Sequence, residues 1–93
     1  MIKVNEYFDG AVKSLGYNTE AGRSTVGVMD KGEFEFGTSE HETVLIVEGE
    51  LTVLLPGAQE WQVFGQGQKF EVPAHVSFKV RVAAPTSYLC QYR

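Results

Sequence analysis

The stretch Glu42-Thr-Val-Leu-Ile-Val-Glu-Gly-Glu-Leu-Thr-Val-Leu-Leu55 decides how this chain is read. Val44, Leu45, Ile46 and Val47 form an apolar, β-branched-rich run, and Leu51, Val53 and Leu55 form an alternating one. Neither run is long enough for an ordinary helix, and Val and Ile favour strands. Glu48-Gly49 lies between them, and glycine supplies the positive φ of a tight turn. The stretch therefore predicts a β-hairpin around which the other strands close.

Outward from it, the chain breaks into short segments of strand character. Residues 5–10 are polar and aromatic, and read as an edge strand or a clasp onto a partner. Ala11 to Tyr17 reads as a strand broken by Gly16, and Asn18 to Gly22 as a loop. In Arg23 to Met29, Val26 and Val28 share one face, with Arg23, Thr25 and Met29 on the other. Phe34 and Phe36 point one way and Glu33 and Glu35 the other. Thr38 to His41 is a polar bend, and Pro56-Gly57 ends the strand of Leu51 to Leu55. Trp61 to Phe64, Lys69 to Val72, Ser77 to Val82 and Thr86 to Tyr92 complete the set. No segment holds a 3.6-residue apolar period. Roughly nine short strands at regular spacing predict an all-β sandwich or barrel.

Composition agrees. The 93 residues suit one domain spanning 1–93, and the 10 Gly, 6 Phe, 4 Tyr and 1 Trp suit a turn-rich β protein. No apolar run approaches the roughly 20 residues of a membrane span, and the N-terminus lacks the apolar core of a signal peptide. The single cysteine, Cys90, cannot form an intrachain disulfide, which favours a reducing cytoplasm. The net charge is −4 with scattered basic residues, so no nucleic-acid footprint is expected. A small anion can still be held by one Arg and backbone N–H groups.

Two spacings sharpen the fold. Glu42 precedes Gly49 by six intervening residues, and Gly67 precedes Pro73 by five. They resemble the two motifs of the cupin superfamily, G-x5-H-x-H-x3/4-E-x6-G and G-x5-P-x4-H-x3-N, and imply a jelly-roll (double-stranded β-helix) barrel. In cupins the His and Glu positions hold a metal inside the barrel. Here those His positions fall on Phe36, Thr38 and Phe78, and only Glu42 survives. One carboxylate among Phe and Thr does not make a transition-metal site. His41 and His75 lie off the motif positions. The expectation is a barrel without a metal.

The resemblance runs further. Asn5-Glu-Tyr-Phe8, Gly22-Arg-Ser-Thr-Val-Gly-Val-Met29, Leu54-Leu-Pro56, Glu60-Trp-Gln-Val63, Val72-Pro-Ala-His75 and Pro85-Thr-Ser-Tyr-Leu-Cys90 occur in this order. So arranged they look like the pyrimidine/purine nucleoside phosphorylase family, a family of small single-domain cupins. The resemblance covers essentially the whole chain. It implies phosphorolysis of a broad set of ribonucleosides, and thymidine, to free base and pentose 1-phosphate. Inorganic phosphate would be the co-substrate, with no other cofactor.

Such chemistry needs an anion site, groups for the ribose hydroxyls and help for the leaving base. Arg23 is the candidate for phosphate, because its guanidinium fork matches phosphate oxygens; the plainer reading is a solvated strand-end Arg. Glu42, at the cupin ligand position, is a catalytic candidate to hold the ribose and steady positive charge on the sugar. His75 is a catalytic candidate to protonate a leaving base, or else a loop His. Phe36, Thr38 and Phe78 are the candidates around the substrate, although Phe34, Phe36 and Phe78 read as barrel core first, with any one near the mouth able to stack a base. Trp61, Tyr88 and Tyr92 read as core or interface before substrate, Cys90 as a buried inert thiol, and Lys79 and Arg81 as a solvated face. Pairing into a homodimer is expected, since a short chain gains core that way. Two rival functions stand beside this one: a metal-dependent cupin enzyme (dioxygenase or isomerase), and a non-catalytic cupin that binds a small molecule.

Overall fold

The computed structural model describes residues 1–93. Ten strands follow one another: β1 Lys3–Tyr7, β2 Val12–Thr19, β3 Gly22–Met29, β4 Gly32–Gly37, β5 Glu42–Glu48, β6 Glu50–Leu54, β7 Gln62–Gly65, β8 Lys69–Val72, β9 Ser77–Val82 and β10 Thr86–Tyr92. A single 3-10 turn, Phe8–Gly10, joins β1 to β2. The strands form a six-stranded sheet, β1-β2-β3-β10-β5-β8, and a four-stranded sheet, β4-β9-β6-β7. Every pairing is antiparallel.

The stretch from Glu42 to Leu55 is not a hairpin. β5 pairs with β10 and β8, whereas β6 pairs with β9 and β7. Gly49, at φ +100, is the corner where the chain leaves one sheet for the other. The Thr86 hydroxyl accepts from Glu50 N at 3.3 Å and donates to Glu50 O at 3.0 Å, so a side chain takes the place of a ladder partner. Two apolar runs around a glycine read alike whether they pair with each other or cross between layers. The crossing wins because both runs have an inward face to bury, Val44 and Ile46 on one side and Leu51 and Val53 on the other.

Those residues, with Phe70 and Val80, lie at the centre of a 14-residue core between the sheets. β9 shows the logic plainly. Phe78, Val80 and Val82 are buried while Lys79 and Arg81 face water, as strand alternation requires. The two sheets remain separately hydrogen-bonded. The architecture is the expected all-β jelly roll, its two sheets facing each other without closing into one continuous barrel.

Other differences have simple causes. Gly16 does not break β2, because it pairs with Lys3 on one side and Thr25 on the other. The expected loop from Asn18 to Gly22 is a two-residue turn. Thr19 and Gly22 still pair, and the Thr19 hydroxyl accepts from Ala21 N at 3.1 Å. Of the N-terminal segment 5–10, Asn5 to Tyr7 lie in the edge strand β1, while Phe8 to Gly10 form the 3-10 turn. The outer face of the large sheet also departs from the usual polar pattern. Val4, Leu15, Val26, Leu89 and Leu45 stand in register across five adjacent strands, and Val4, Leu15 and Val26 are exposed.

Gly49 gives a stability test. A Cβ there would lie 2.5 Å from the Thr86 hydroxyl oxygen, which is buried, whereas a Cβ at Gly57 (φ +74) would meet nothing within 4 Å. Gly57→Ala should cost only the left-handed backbone term, about 1–2 kcal/mol. Gly49→Ala should add overpacking of about 1–3 kcal/mol to it. Urea denaturation of both variants measures the difference, and equal losses would contradict the Thr86 contact.

Candidate active site

A cavity of about 360 Å³ opens between the sheets, within the usual range for a small-molecule site. Its two walls differ in chemistry because they come from different sheets. The wall from the large sheet carries polar groups in cross-strand rows. Arg23 on β3 pairs with Tyr92 on β10, and Tyr92 pairs in turn with Glu42 on β5. A cation, a phenol and a carboxylate thus stand side by side at the cavity mouth. One step deeper, Thr25, Cys90 and Val44 form the next row, with Phe70 beyond them.

Contacts within the row hold it in place. The Arg23 guanidinium lies 3.8 Å over the Tyr92 ring centroid, a cation–π contact. It also donates from Nη2 to Glu40 Oε2 at 2.7 Å. The Tyr92 hydroxyl is 3.5 Å from Thr25 Oγ1. Cys90 Sγ donates to Glu42 Oε1 at 3.4 Å. Burial raises the Glu42 carboxyl above its ordinary value, outweighing the Cys90 hydrogen bond and the Arg23 charge, which pull it down. Burial likewise pushes the Cys90 thiol up to about 12, with the nearby Glu42 charge adding to it, so this cysteine is no thiolate nucleophile. The Tyr92 phenol is raised too, again mainly by burial, and stays a hydrogen-bond donor at neutral pH.

The facing wall, from the small sheet, is aromatic. Phe36 stacks on Phe78 with centroids 5.6 Å apart and planes 29° from parallel. Phe78 meets Phe70 edge-on at 6.0 Å. Phe8 adds a ring from the 3-10 turn, 5.5 Å from Phe36 and perpendicular to it. Room for Tyr88 on the polar side depends on Gly27. A Cβ there would lie 2.7 Å from both Lys13 O and the Tyr88 hydroxyl.

Four of the sequence candidates, Arg23, Phe36, Glu42 and Phe78, line this cavity together. Thr38 and His75 are not among the lining residues. Thr38 is buried elsewhere, its hydroxyl donating to Pro73 O at 2.7 Å and accepting from Val76 N at 3.1 Å. That hydroxyl staples the β4–β5 bend to the β8–β9 bend. His75 sits exposed in the second bend at φ 62, its N–H donating to Thr38 O at 3.0 Å. His41 pairs with Glu71 at 3.2 Å. No three of His, Cys, Asp and Glu come together as a metal cluster, and Glu42 shares its cavity with Phe36 and Phe78, neither of which can ligate.

Sequence reading passed over Tyr92, Cys90 and Phe8 as site residues. The signal for the first two was present in β10, where Tyr88, Cys90 and Tyr92 alternate with Leu89 and Gln91. What was missing was the identity of its neighbours: only the pairing of β10 with both β3 and β5 brings Tyr92 between Arg23 and Glu42.

Comparison with known proteins gives four findings. The family described as pyrimidine/purine nucleoside phosphorylase matches residues 2–92. A protein of that name from Marinobacter nauticus is 56% identical over 92 residues, covering 99% of each chain. Among solved structures, a protein of unknown function from Vibrio parahaemolyticus superposes with a TM-score of 0.97 at 42% identity, over 100% of this chain and 99% of that one. An RmlC-like cupin from Shewanella frigidimarina superposes at 0.74 with 24% identity, over 99% and 83% of the two chains, which bears on the fold alone and supports a cupin jelly roll. No helix is long and apolar enough to cross a membrane.

The raised Glu42 carboxyl sets a pH dependence. Between its ordinary value of 4.5 and its raised folded value, the folded chain binds more protons than the unfolded one. Stability from this group therefore falls as pH rises through that window and is regained as pH drops toward 4.5. Glu42→Gln removes the effect. Denaturation midpoints across pH 4–8 should show wild type losing stability relative to Glu42→Gln as pH rises. A difference that does not change with pH would remove the desolvated carboxylate.

Proposed function

The chain belongs to the pyrimidine/purine nucleoside phosphorylase family, and we propose that it acts as a pentosyltransferase of broad specificity, cleaving purine and pyrimidine nucleosides with inorganic phosphate. The observation that carries this reading is the two-sided cavity, a polar row facing an aromatic wall. A nucleoside is two-sided in the same way. Its base is flat and apolar on its faces, and its sugar is polar.

In the reaction a phosphate oxygen bonds to the anomeric carbon of the pentose. The bond from that carbon to the base nitrogen breaks, and the base departs with the electron pair and takes up a proton. Arg23 holds the phosphate with its guanidinium fork, exchanging Glu40 for the incoming anion. Glu42, two strands away, sits about 9–10 Å across the sheet from Arg23 by strand spacing. That leaves the pentose between them. Its carboxylate accepts from ribose hydroxyls and steadies the positive charge that the sugar ring develops in the transition state. The Tyr92 hydroxyl, between the two, donates to the phosphate or the sugar. The base lies against Phe36 and Phe78. Stacking depends on a π-face that every base has, which suits broad specificity. No step calls on a metal or an organic cofactor.

The deciding experiment incubates the protein with a nucleoside panel, with and without phosphate, after exhaustive chelation. Free bases should appear only with phosphate, from purine and pyrimidine nucleosides alike. Turnover that is lost on chelation and restored by a divalent metal would favour the metal-dependent rival, and binding without turnover the non-catalytic one.

Two variants assign the roles. Arg23→Ala should raise KM for phosphate more than KM for nucleoside, with kcat/KM down roughly 10- to 150-fold. Unchanged phosphate kinetics in a folded variant would return Arg23 to the strand end. Glu42→Gln should lower kcat for uridine and adenosine alike, by about 100-fold or more. A loss confined to one of them would move the carboxylate from the sugar to the base.

A further inference from the structure

Phe8 stands apart from the rest of the aromatic wall. Phe36 and Phe78 belong to the small sheet, whereas Phe8 follows β1, the edge strand of the large one. β1 ends where Tyr7 pairs with Val12. Phe8, Asp9 and Gly10 then take φ values of 53, 55 and 88. Glycine adopts such a conformation freely; a bulky Phe does so rarely. Strain of this kind persists only where the surroundings impose it, and it gathers at ligand clamps and active sites.

The left-handed run swings the Phe8 ring across the gap between the sheets. It reaches 4.9 Å from Phe34 and 5.5 Å from Phe36, both on β4. Packing on Phe34 and Phe36 accounts for only part of this placement. Phe8 is 46% exposed and the turn contains no buried residue. The ring instead lines the cavity. It stands at 89° to Phe36, which also lines the cavity, so the two rings make a right-angled corner. A flat base laid on one ring meets the other edge-on. On that geometry a bicyclic purine would reach both rings and a single-ring pyrimidine only one.

We propose that Phe8 is the specificity-determining contact to the base, and that it favours purine over pyrimidine nucleosides through this corner. The proposal rests on the nucleoside reading given above. The backbone supports the part. β1 bonds only to β2, while Ala11 N donates to Phe8 O at 3.1 Å and Asp30 N donates to Ala11 O at 2.8 Å. Those two bonds tie the far end of the turn to the β3–β4 corner.

The test uses Phe8→Leu, which keeps apolar cover but removes the ring, and Phe8→Trp, which enlarges it. Steady-state kinetics are measured with adenosine and uridine, and adenine and uracil binding by calorimetry. Phe8→Leu should lower kcat/KM for adenosine by roughly 5- to 150-fold, uridine by less, and leave KM for phosphate unchanged. Phe8→Trp should raise the adenosine-to-uridine ratio. A folded Phe8→Leu with an unaltered ratio overturns the proposal, as does an equal loss for both nucleosides accompanied by a raised phosphate KM. Should Phe8→Leu fail to fold, an unaltered ratio in Phe8→Trp overturns it as well. If wild type releases no base from any nucleoside, the phosphorylase reading fails by itself. Adenine binding then still decides Phe8, and equal affinity in wild type and Phe8→Leu overturns its role.

Discussion

Strand alternation is the constraint on which the rest of this molecule depends. Each strand of the large sheet has one face toward the small sheet and one face away. Pairing in register turns single residues into rows, and rows into walls. That is how Arg23, Tyr92 and Glu42, distant in sequence, come to stand together. The same rule, one residue out of phase, builds the apolar row from Val4 to Leu45 on the outer face. A slip of one residue in β10 would send Tyr92 outward and bring Leu89 in.

Much of this was legible from the sequence. β8, β9 and β10 run over the residues that alternation indicated, because Pro73, Gly67 and Pro85 punctuate them. The direction of Phe34, Phe36 and Phe78 was legible for the same reason. The partner of each strand was not. The pattern around Gly49 is the same for a hairpin and for a crossing between layers, and the difference lies in Thr86, 37 residues further along. Thr38 misled in a similar way. It occupies a position that usually faces the cavity, but its hydroxyl finds two backbone partners between bends, and a small buried polar group settles where its hydrogen bonds are met. Phe8 was illegible because nothing in a sequence marks a phenylalanine for positive φ.

The electrostatics of the polar wall follow from distance. Arg23 touches Glu40 directly, at 2.7 Å, whereas Glu42 is separated from it by Tyr92. Coulomb attraction falls with separation, while the cost of leaving water does not. Burial therefore prevails at Glu42, and the carboxylate is held without a direct cationic partner. Such a group gains more from a positive charge appearing nearby than a neutralised one would, which is the property that a reaction developing positive charge on a sugar can use.

The position of β10 has a further consequence, for the order in which the chain can assemble. β1, β2 and β3 form one meander, and β5 and β8 form a separate pair. The two pieces share no hydrogen-bonded edge until β10 inserts between β3 and β5. A growing polypeptide emerging from the ribosome can close the meander early, but residues 86–92 come late and must thread into the middle of the sheet. Most of the ladder they form is long-range, which slows folding. The hydroxyl, the thiol and the meeting of Arg23 with Glu42 all arrive with that strand. The row of Arg23, Tyr92 and Glu42 is thus incomplete in any form of the chain in which β10 has not yet inserted.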